Sequence, residues 1–298
     1  MPKPNPPIVL IAGPTASGKS ALALQLARER GGIVINADSM QVYRELRLLT
    51  ARPSIEEEAL APHRLYGHVS AGEAYSVSRW LEDVRLVLDD ANARGRTAIF
   101  VGGTGLYFKA LTEGLSPVPA VPHDVRQKWR DVAAGASPGH LHAILRERDP
   151  LMAARLPAGD VQRIARALEV HEATGVSLSE WQLSRSAPLV DANQAERLRL
   201  TRSRAELYAR CDRRLDQMVA AGALDEVRHL LTMELDDRMP AMRALGVRSL
   251  GAHVRGFITL AEAVSRAKTE TRQYVKRQET WARKFMSDWS RANPELAL

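Results

Sequence analysis

The sequence predicts an α/β fold with a parallel β-sheet core, an inserted all-helical subdomain and a helical C-terminal region. Within residues 1–115, short apolar runs rich in β-branched residues alternate with helical patterns, as in parallel strands joined by right-handed crossovers. Strand patterns are missing from residues 116–196, and one returns in residues 197–298 before helical patterns continue. The 298 residues, of which 45% are apolar, suffice for one large domain that carries an insertion.

The first part of the core contains three predicted strands. Residues 8–12 are an apolar run between a proline and a glycine, which is typical of a strand buried on both faces. A helix is predicted from Ser20 to the glycine pair at 31–32. The remaining elements are strands at 33–35 and 98–101 and a long amphipathic helix at about 77–93.

The second part begins with a linker. Residues 116–122 read Ser-Pro-Val-Pro-Ala-Val-Pro, which predicts a stiff connection. Helical patterns then run from about Asp124 to Leu183, and a strand is predicted at 197–201. From Arg204 onward we expect helices with breaks near Gly222, Pro240, Gly246 and Gly256.

Positive charge is concentrated in the C-terminal part. The chain has 42 Lys and Arg against 35 Asp and Glu, a net charge of +7. Residues 1–196 carry 22 residues of each sign, so the whole excess lies in residues 197–298. This asymmetry indicates either a polyanionic partner or a solvated helical surface.

Cysteine content and hydropathy exclude several classes of protein. Cys211 is the only cysteine, which rules out an intrachain disulfide and a Cys-based zinc site. The apolar run at 8–12 is too short for a signal peptide or a membrane span, and no other run approaches about eighteen residues. We expect a cytoplasmic protein that does not associate with membranes.

A phosphate-binding loop directly follows the first strand. Residues 13–20 match G-x-x-x-x-G-K-[ST] between a strand and a helix, as in P-loop NTPase-like folds. The backbone N–H groups of such a loop converge on a phosphate, Lys19 would neutralise its charge, and the Ser20 hydroxyl would hold Mg²⁺. The alternative is a glycine-rich turn beside an exposed lysine. The predicted diphosphate- or nucleotide-binding residues are Gly13, Pro14, Thr15, Ala16, Ser17, Gly18, Lys19 and Ser20.

The acids near the loop argue against a motor ATPase or GTPase. Such enzymes place a magnesium-binding Asp after a later strand, whereas the strand at 98–101 continues as Gly-Gly-Thr-Gly. Asp89 and Asp90 have helical spacing and are interpreted as solvated charges near a helix end. Asp38, just past the second strand, is the acid best placed to lie beside the loop, because parallel strands end at a common edge.

Further motifs are spread over nearly the whole chain. They are Asp38–Arg44, Pro62–Leu65, Gly102–Tyr107, Gln162-Arg163 with Arg166–Glu169, and Lys276–Gln278 with Trp281. Together with the loop, they make the sequence resemble the bacterial tRNA dimethylallyltransferases, also called tRNA isopentenyltransferases. The resemblance implies that a dimethylallyl group passes from dimethylallyl diphosphate to N6 of the adenosine 3′ of the tRNA anticodon. It also implies Mg²⁺ and the release of pyrophosphate.

The resemblance also implies catalytic roles. Asp38 matches the base that takes a proton from the acceptor amine, and Thr104 and Ser39 would be hydrogen-bonding partners nearby. An outer ligand of Mg²⁺ or a helix N-cap are the alternatives for Asp38. Arg214 would join Lys19 in clamping the diphosphate. Arg210 or Arg213 could take the place of Arg214, or the cluster could be helical surface charge.

An adenine stacked in an anticodon loop must be turned out to reach a buried donor, which calls for many phosphate contacts. The resemblance assigns tRNA contact to Asp38, Ser39, Met40, Gln41, Thr104, Arg126, Gln162, Arg163, Ile164, Ala165, Arg166, Arg243, Gly246, Arg248, Arg272, Lys276 and Arg277. Independently, the spacing of Arg272, Lys276 and Arg283 predicts three cations along one helix face. Tyr274, Trp281 and Phe285 are predicted to pack on another face.

The sequence departs from the family pattern at Arg52, where Lys is usual, and at Ala244 and Val247, where Cys and Tyr are common. Three other functions remain open at this point. An adenylate isopentenyltransferase would alkylate free AMP or ATP, although the inserted subdomain and the basic C-terminal part argue against it. A P-loop small-molecule kinase would transfer phosphate from ATP, and a noncatalytic RNA-binding protein would turn nothing over. We expect a monomer, with His63 and His68 as structural histidines.

Overall fold

The computed structural model describes residues 7–292, which divide into two compact units. The first comprises the chain up to Thr112 and again from Leu189, and the second is Glu113–Pro188. The predicted return to the core at residue 197 is too late. Leu189 and Val190 already belong to the first unit, because their N–H groups donate to the Leu111 carbonyl.

A parallel sheet forms the centre of the first unit. Its strands are β1 (Ile8–Ala12), β2 (Ile33–Asn36), β3 (His63–Arg64), β4 (Ala98–Gly102), β5 (Ala195–Leu200) and β6 (Ser290–Ala292). The order across the sheet is β3-β2-β4-β1-β5-β6, with every neighbouring pair parallel. The strands predicted at 8–12, 33–35, 98–101 and 197–201 are confirmed, and β5 begins at Ala195. The sequence did not predict β3 or β6, so the expectation of helices alone beyond Arg204 is wrong.

The helices within residues 7–292 are α1 (Lys19–Glu29), α2 (Ile55–Leu60), α3 (Val77–Ala93), α4 (Gly105–Glu113), α5 (His123–Gly135), α6 (Pro138–Arg148), α7 (Pro150–Ala153), α8 (Val161–Thr174), α9 (Leu178–Trp181), α10 (Arg204–Ala220), α11 (Ala223–Thr232), α12 (Val247–Val254) and α13 (Leu260–Phe285). A 3₁₀ turn lies at Pro240–Arg243. The predicted helix at 77–93 is confirmed, and the predicted breaks coincide with helix ends. Gly222 and Gly246 have φ of 103° and 85°, a left-handed conformation that glycine adopts without a Cβ clash.

Alternate side chains of the strands build a core on each face of the sheet. On one face, Leu10 and Phe100 pack with Trp80 of α3. On the other face, Ile11 packs with Leu22 of α1. Because both faces are covered, the strands read as continuous apolar runs.

The second unit is all-helical, as predicted for residues 124–183, and contains α5 to α9. Trp129, Leu141, Ile164 and Leu168 are buried in its core. The proline-rich segment 116–122 has neither helix nor strand, consistent with a linker.

The topology brings the predicted site residues to one edge of the sheet. The loop at 13–20 follows β1, Asp38 follows β2, and Gly103 and Thr104 follow β4. Ligands of open parallel sheets bind at this carboxyl edge. In addition, no helix within residues 7–292 combines the length and the apolar character needed to cross a membrane.

Candidate active site

Side chains of α10 and of the segment before it donate hydrogen bonds to carbonyl groups of the phosphate-binding loop. Arg202 Nε donates to the Ser17 carbonyl at 3.0 Å and Arg210 Nε to the Ala16 carbonyl at 2.8 Å. Cys211 Sγ lies 3.8 Å from the Thr15 carbonyl as a weak donor. These contacts come from α10 and the segment just before it. They engage successive carbonyls and so fix the turn that leads into the N-terminus of α1, an end of a helix that favours an anion.

A cavity of about 320 Å³ opens in front of the loop, and its lining includes Gly18, Lys19, Ser20, Arg210, Arg213 and Arg214. The pKa of Lys19 is lowered from 10.5 to about 8, chiefly by burial; the charge of Asp38 opposes this shift, and that of Arg214 adds to it. This concentration of positive groups suits a diphosphate.

The three candidate arginines of α10 differ in their surroundings. Arg210 is engaged by the Ala16 carbonyl, and Arg213 is exposed at the cavity. Arg214 is half-buried and borders the loop cavity as well as a second cavity that contains Asp38. Burial lowers the pKa of Arg214. Of the three arginines, Arg214 is thus the one that lines both cavities, and its role as a second clamp stays a prediction.

The second cavity has a volume of about 200 Å³. Its polar lining includes Thr15, Asp38, Arg214 and Tyr274. Its apolar wall is formed by Met40, Leu49, Leu215, Met218 and Leu245. A carboxylate thus shares a small, largely apolar space with an arginine that also borders the phosphate loop.

Local hydrogen bonds orient Asp38. Its Oδ1 accepts from the Met40 N–H at 3.0 Å, and its own N–H donates to Asn36 Oδ1 at 2.8 Å. Asn36 is fully buried, and its amide also donates to the carbonyls of Asp38 and Leu65. No helix begins after Asp38, so the N-cap alternative is wrong.

Thr104 and Ser39 lie beside Asp38 but bond to each other. Thr104 Oγ1 accepts from the Ser39 N–H at 3.0 Å and donates to Ser39 Oγ at 3.3 Å. Their role as hydrogen-bonding partners near Asp38 stays a prediction. Tyr274 lines the same cavity as Asp38, and burial, together with the charge of Asp38, holds the pKa of Tyr274 above its ordinary value. Tyr274 consequently remains a protonated, neutral group near the acid.

Sequence reasoning did not identify Tyr274 as a site residue, because it was predicted to pack with Trp281 and Phe285. Those two rings do meet, with centroids 4.7 Å apart, but Tyr274 lines the Asp38 cavity instead. Nor did it identify Arg202 as a holder of the loop. Tyr274, Trp281 and Phe285 recur at i, i+7 and i+11, so a helical wheel of α13 places them on one face and gives no signal that Tyr274 lines a different cavity.

The predicted tRNA-binding residues of the first unit do not form one common surface. Arg243 and Arg277 border the Asp38 cavity, and Lys276 is exposed on α13. Gln41 donates to the carbonyls of Thr50 and Ala51, each at 2.8 Å, and so holds a turn. Gly246 is buried, so it presents no exposed surface to RNA.

Arg248 borders a different cavity, which also includes Phe257. The two departures from the family pattern in this segment are explained by burial. Ala244 and Val247 are only 4% and 2% exposed and pack in the core. Arg52 donates to the carbonyls of Tyr43 and Arg44, so its role in this structure is to hold backbone.

The second unit holds the other predicted tRNA residues. Gln162 and Arg163 are exposed at the start of α8. Ile164 and Ala165 are buried, because α8 turns its apolar side inward, so their side chains present little surface to RNA. The remaining two are Arg126, which donates to the Val121 carbonyl at 3.4 Å, and Arg166, which pairs with Glu169 at 3.1 Å.

The predictions for Asp89, Asp90, His63 and His68 are confirmed. Asp89 is exposed, and Asp90 pairs with Arg94 at 2.7 Å near the end of α3. His63 bonds the Ala61 carbonyl, and His68 lies near Tyr75 and Asp83. In the described part of the chain no three His, Cys, Asp or Glu side chains come together as a metal cluster.

The donor set near the loop fits Mg²⁺ in a phosphate complex. Ser20 lines the loop cavity next to Lys19. Magnesium in such sites is held by one or two protein oxygens, with phosphate oxygens and waters as the other ligands. A hydroxyl at this position is sufficient, and a cluster of carboxylates is not required.

Comparisons with known proteins agree over nearly the full length. The model of the IPP transferase family matches residues 41–285, and that of the isopentenyl transferase family matches residues 6–72. A tRNA dimethylallyltransferase of Chelativorans sp. (strain BNC1) is 55% identical, over 94% of this chain and 96% of that protein. One from Azorhizobium caulinodans is 51% identical, over 99% and 94%.

Solved structures give the same picture. The tRNA isopentenylpyrophosphate transferase of Bacillus halodurans has a TM-score of 0.68 and 32% identity, over 97% of this chain and 90% of that chain. A eukaryotic dimethylallyltransferase acting on tRNA has a TM-score of 0.80 and 27% identity, over 97% and 74%. The similarity extends across the sheet, the inserted helices and the C-terminal helices.

Proposed function

The chain belongs to the tRNA dimethylallyltransferase family, whose reaction is prenylation of tRNA, and we propose that its donor is dimethylallyl diphosphate and its acceptor N6 of the adenosine 3′ of the anticodon. One observation carries this proposal. Arg214 borders both the cavity of the phosphate loop and the cavity that contains Asp38. A donor with its diphosphate on the loop would therefore have its reactive carbon near a carboxylate.

The donor fits the two cavities by its chemistry. Its diphosphate suits the loop N–H groups, Lys19 and Arg214, which neutralise the charge that develops as pyrophosphate leaves. Its five-carbon chain suits the apolar wall around Leu215 and Met218. Ser20 would hold Mg²⁺, which supplies further charge neutralisation on the leaving group when it is bound.

Asp38 is the group that acts on the acceptor. The lone pair of an adenine exocyclic amine is delocalised into the ring, so a carboxylate that accepts one amine hydrogen strengthens the nucleophile. As the new C–N bond forms and the C–O bond to pyrophosphate breaks, Asp38 takes that proton. Met40 N–H and Asn36 keep the carboxylate in place.

Arg243 and Arg277 at the Asp38 cavity supply charge for the phosphates next to a turned-out base. We propose that the exposed Gln162 and Arg163 of the helical unit add further contacts to the anticodon stem-loop. The groups invoked come from one chain, so a monomer is sufficient. Because tRNA is a cytoplasmic substrate, we propose that the protein works in the cytoplasm.

A labelling assay tests the proposal. Purified protein is incubated with Mg²⁺, labelled dimethylallyl diphosphate and unmodified tRNA, with AMP and ATP as acceptors in parallel. We expect label in tRNA, at the adenosine that follows the anticodon, and none in AMP or ATP. Label in the free nucleotide would identify an adenylate isopentenyltransferase, and phosphate transfer from ATP without any need for the prenyl donor would identify a kinase.

A further inference from the structure

Helix α13 contacts the phosphate loop through one buried amide. Gln278 Oε1 accepts from the Thr15 N–H at 2.9 Å, and Gln278 Nε2 donates to the Gly103 carbonyl at 3.0 Å. Gln278 is only 9% exposed. Its two ends thus join the loop after β1 to the segment after β4, which contains Thr104.

The glycines in the segment after β4 leave space for side chains of α13. A Cβ at Gly103 would lie 2.1 Å from Gln278 Nε2, and a Cβ at Gly105 would lie 2.3 Å from the Trp281 ring. Gly103 and Gly105 therefore allow the close approach of two side chains that are one turn apart on the same helix. This is a physical reason for the Gly-Gly-Thr-Gly sequence.

Only a side chain with a donor and an acceptor on one rigid group satisfies both contacts. A glutamate would accept from Thr15 but would face the Gly103 carbonyl with a second acceptor, and an apolar side chain would leave both backbone groups unpaired. Gln278 borders neither the 320 Å³ cavity nor the 200 Å³ cavity. Its contacts are therefore with the frame of the site.

We propose that Gln278 is a positioning residue that sets the separation between the donor loop and the Asp38–Thr104 side of the site. This inference rests on the proposed function. Gly103 leads directly into Thr104, and its missing Cβ faces Asp38 Oδ2 as well as Gln278. The amide bridge therefore links the loop that binds the diphosphate to the segment beside the base.

The bridge affects the chemical step more than donor binding. The loop keeps its shape through Arg202, Arg210 and Cys211, which do not depend on Gln278. Loss of the bridge changes where the loop lies relative to Asp38, and a displacement of about 1 Å costs roughly 100-fold in rate. The exposed Lys276, two residues before Gln278 on α13, remains in place, so tRNA affinity is retained.

The test combines Gln278→Ala, Gly103→Ala and the double variant. Single-turnover transfer is measured at saturating donor with enzyme in excess, because its rate constant does not depend on the fraction of folded enzyme. We expect each single variant to lower this constant by about 10- to 100-fold. The donor KM and the Kd for tRNA should change less than about threefold.

The double variant gives the sharper result. Removing the Gln278 amide makes room for a Cβ at residue 103, whose next contact is Asp38 Oδ2 at 3.4 Å. The two effects should therefore not multiply, and the double variant should be no slower than Gln278→Ala. Gln278→Glu, which keeps the size and one acceptor, should be slow as well.

The matched control is Gln25→Ala, since Gln25 bonds Glu29 on the surface of α1. It should transfer at the wild-type rate. A wild-type rate constant in Gln278→Ala, multiplicative effects in the double variant, or losses confined to folded yield would overturn the positioning role. If the wild-type protein itself fails to prenylate tRNA, the proposed function is at fault and not this inference.

Discussion

At the scale of single residues, substitution of Asp38 is the most direct test of the proposed mechanism. Its Oδ1 accepts from the Met40 N–H, and an asparagine amide oxygen can accept the same bond. Asp38→Asn should therefore keep the local structure and remove only the base. We expect kcat to fall about 10²- to 10⁴-fold, and Asp38→Ala should abolish transfer while leaving tRNA binding mostly intact.

The measurement is steady-state transfer with tRNA affinity determined in parallel. Asp89→Asn is the matched control, because Asp89 is an exposed acid on α3 and should leave kcat unchanged. Turnover close to wild type in Asp38→Asn would remove the base assignment. Equal losses in kcat and in tRNA affinity would make Asp38 a binding residue.

Lys19 makes donor binding depend on pH. Burial lowers its pKa to about 8, so the free protein loses this charge as pH rises above 8. A bound diphosphate favours the charged form and raises the pKa, which means that binding above pH 8 takes up a proton. We expect affinity for dimethylallyl diphosphate to fall between pH 8 and 10, with uptake of about one proton at pH 9.

Calorimetry in buffers of different ionisation enthalpy measures that proton directly. Lys19→Arg is the control, since a guanidinium stays charged throughout this range. Lys19→Arg should bind the donor more weakly, because a guanidinium differs in shape from an ammonium group, but its binding should take up no proton. Uptake that is the same in Lys19→Arg and in wild type would place the titrating group elsewhere.

At the scale of elements, α10 holds the phosphate loop in shape. Arg210 donates to the Ala16 carbonyl, and a hydrogen bond from a charged group contributes about 1.5–3 kcal/mol. Arg210→Met should thus raise the donor KM by about 10- to 100-fold, with a smaller effect on kcat. Arg213→Met, at the exposed neighbouring position, should raise KM less because it disturbs no loop contact.

Donor KM and kcat of both variants, measured at saturating tRNA, show whether α10 acts by holding the loop or by presenting exposed charge to the ligand. A larger rise of KM in Arg213→Met than in Arg210→Met would mean that α10 acts on the ligand through its exposed charges alone.

The elements also show what a sequence can predict. The strand at 8–12 follows from a continuous apolar run, because it is buried on both faces. The helix at 77–93 follows from periodicity, because burial of one side of a helix imposes a regular pattern. The two residues of β3 and the three of β6 carry no such pattern, and they become strands only through pairing with β2 and β5.

The candidate site was predictable where chemistry lies within one short segment. The loop at 13–20 and Asp38 could be found, because glycine, lysine and acid stand at the ends of recognisable strands. Gln278 could not be assigned its role, since it bonds a residue 263 positions away. Ile164 shows the opposite limit, because a motif can be matched in sequence while the helix turns that side chain into a core.

At the scale of the whole molecule, the charge asymmetry predicts that tRNA binding depends on salt. The excess of +7 lies in residues 197–298, and α13 carries exposed cations at Lys276 and Arg283. Arg272, the third cation of the predicted row, is half-buried and lies 3.4 Å from Asp212. Two cations of the predicted row are thus exposed, and not three.

Binding to tRNA through such cations releases counterions, so affinity should fall as salt rises. We expect log Kd to change linearly with log salt between 50 and 200 mM, and Lys276→Gln and Arg283→Gln should each reduce the slope by about one. Arg94→Gln is the control, because Arg94 is paired with Asp90 near the end of α3, and it should leave the slope unchanged. An affinity that does not respond to salt would show that the basic C-terminal helices are a solvated surface, and the stem-loop would then have to be held by uncharged contacts.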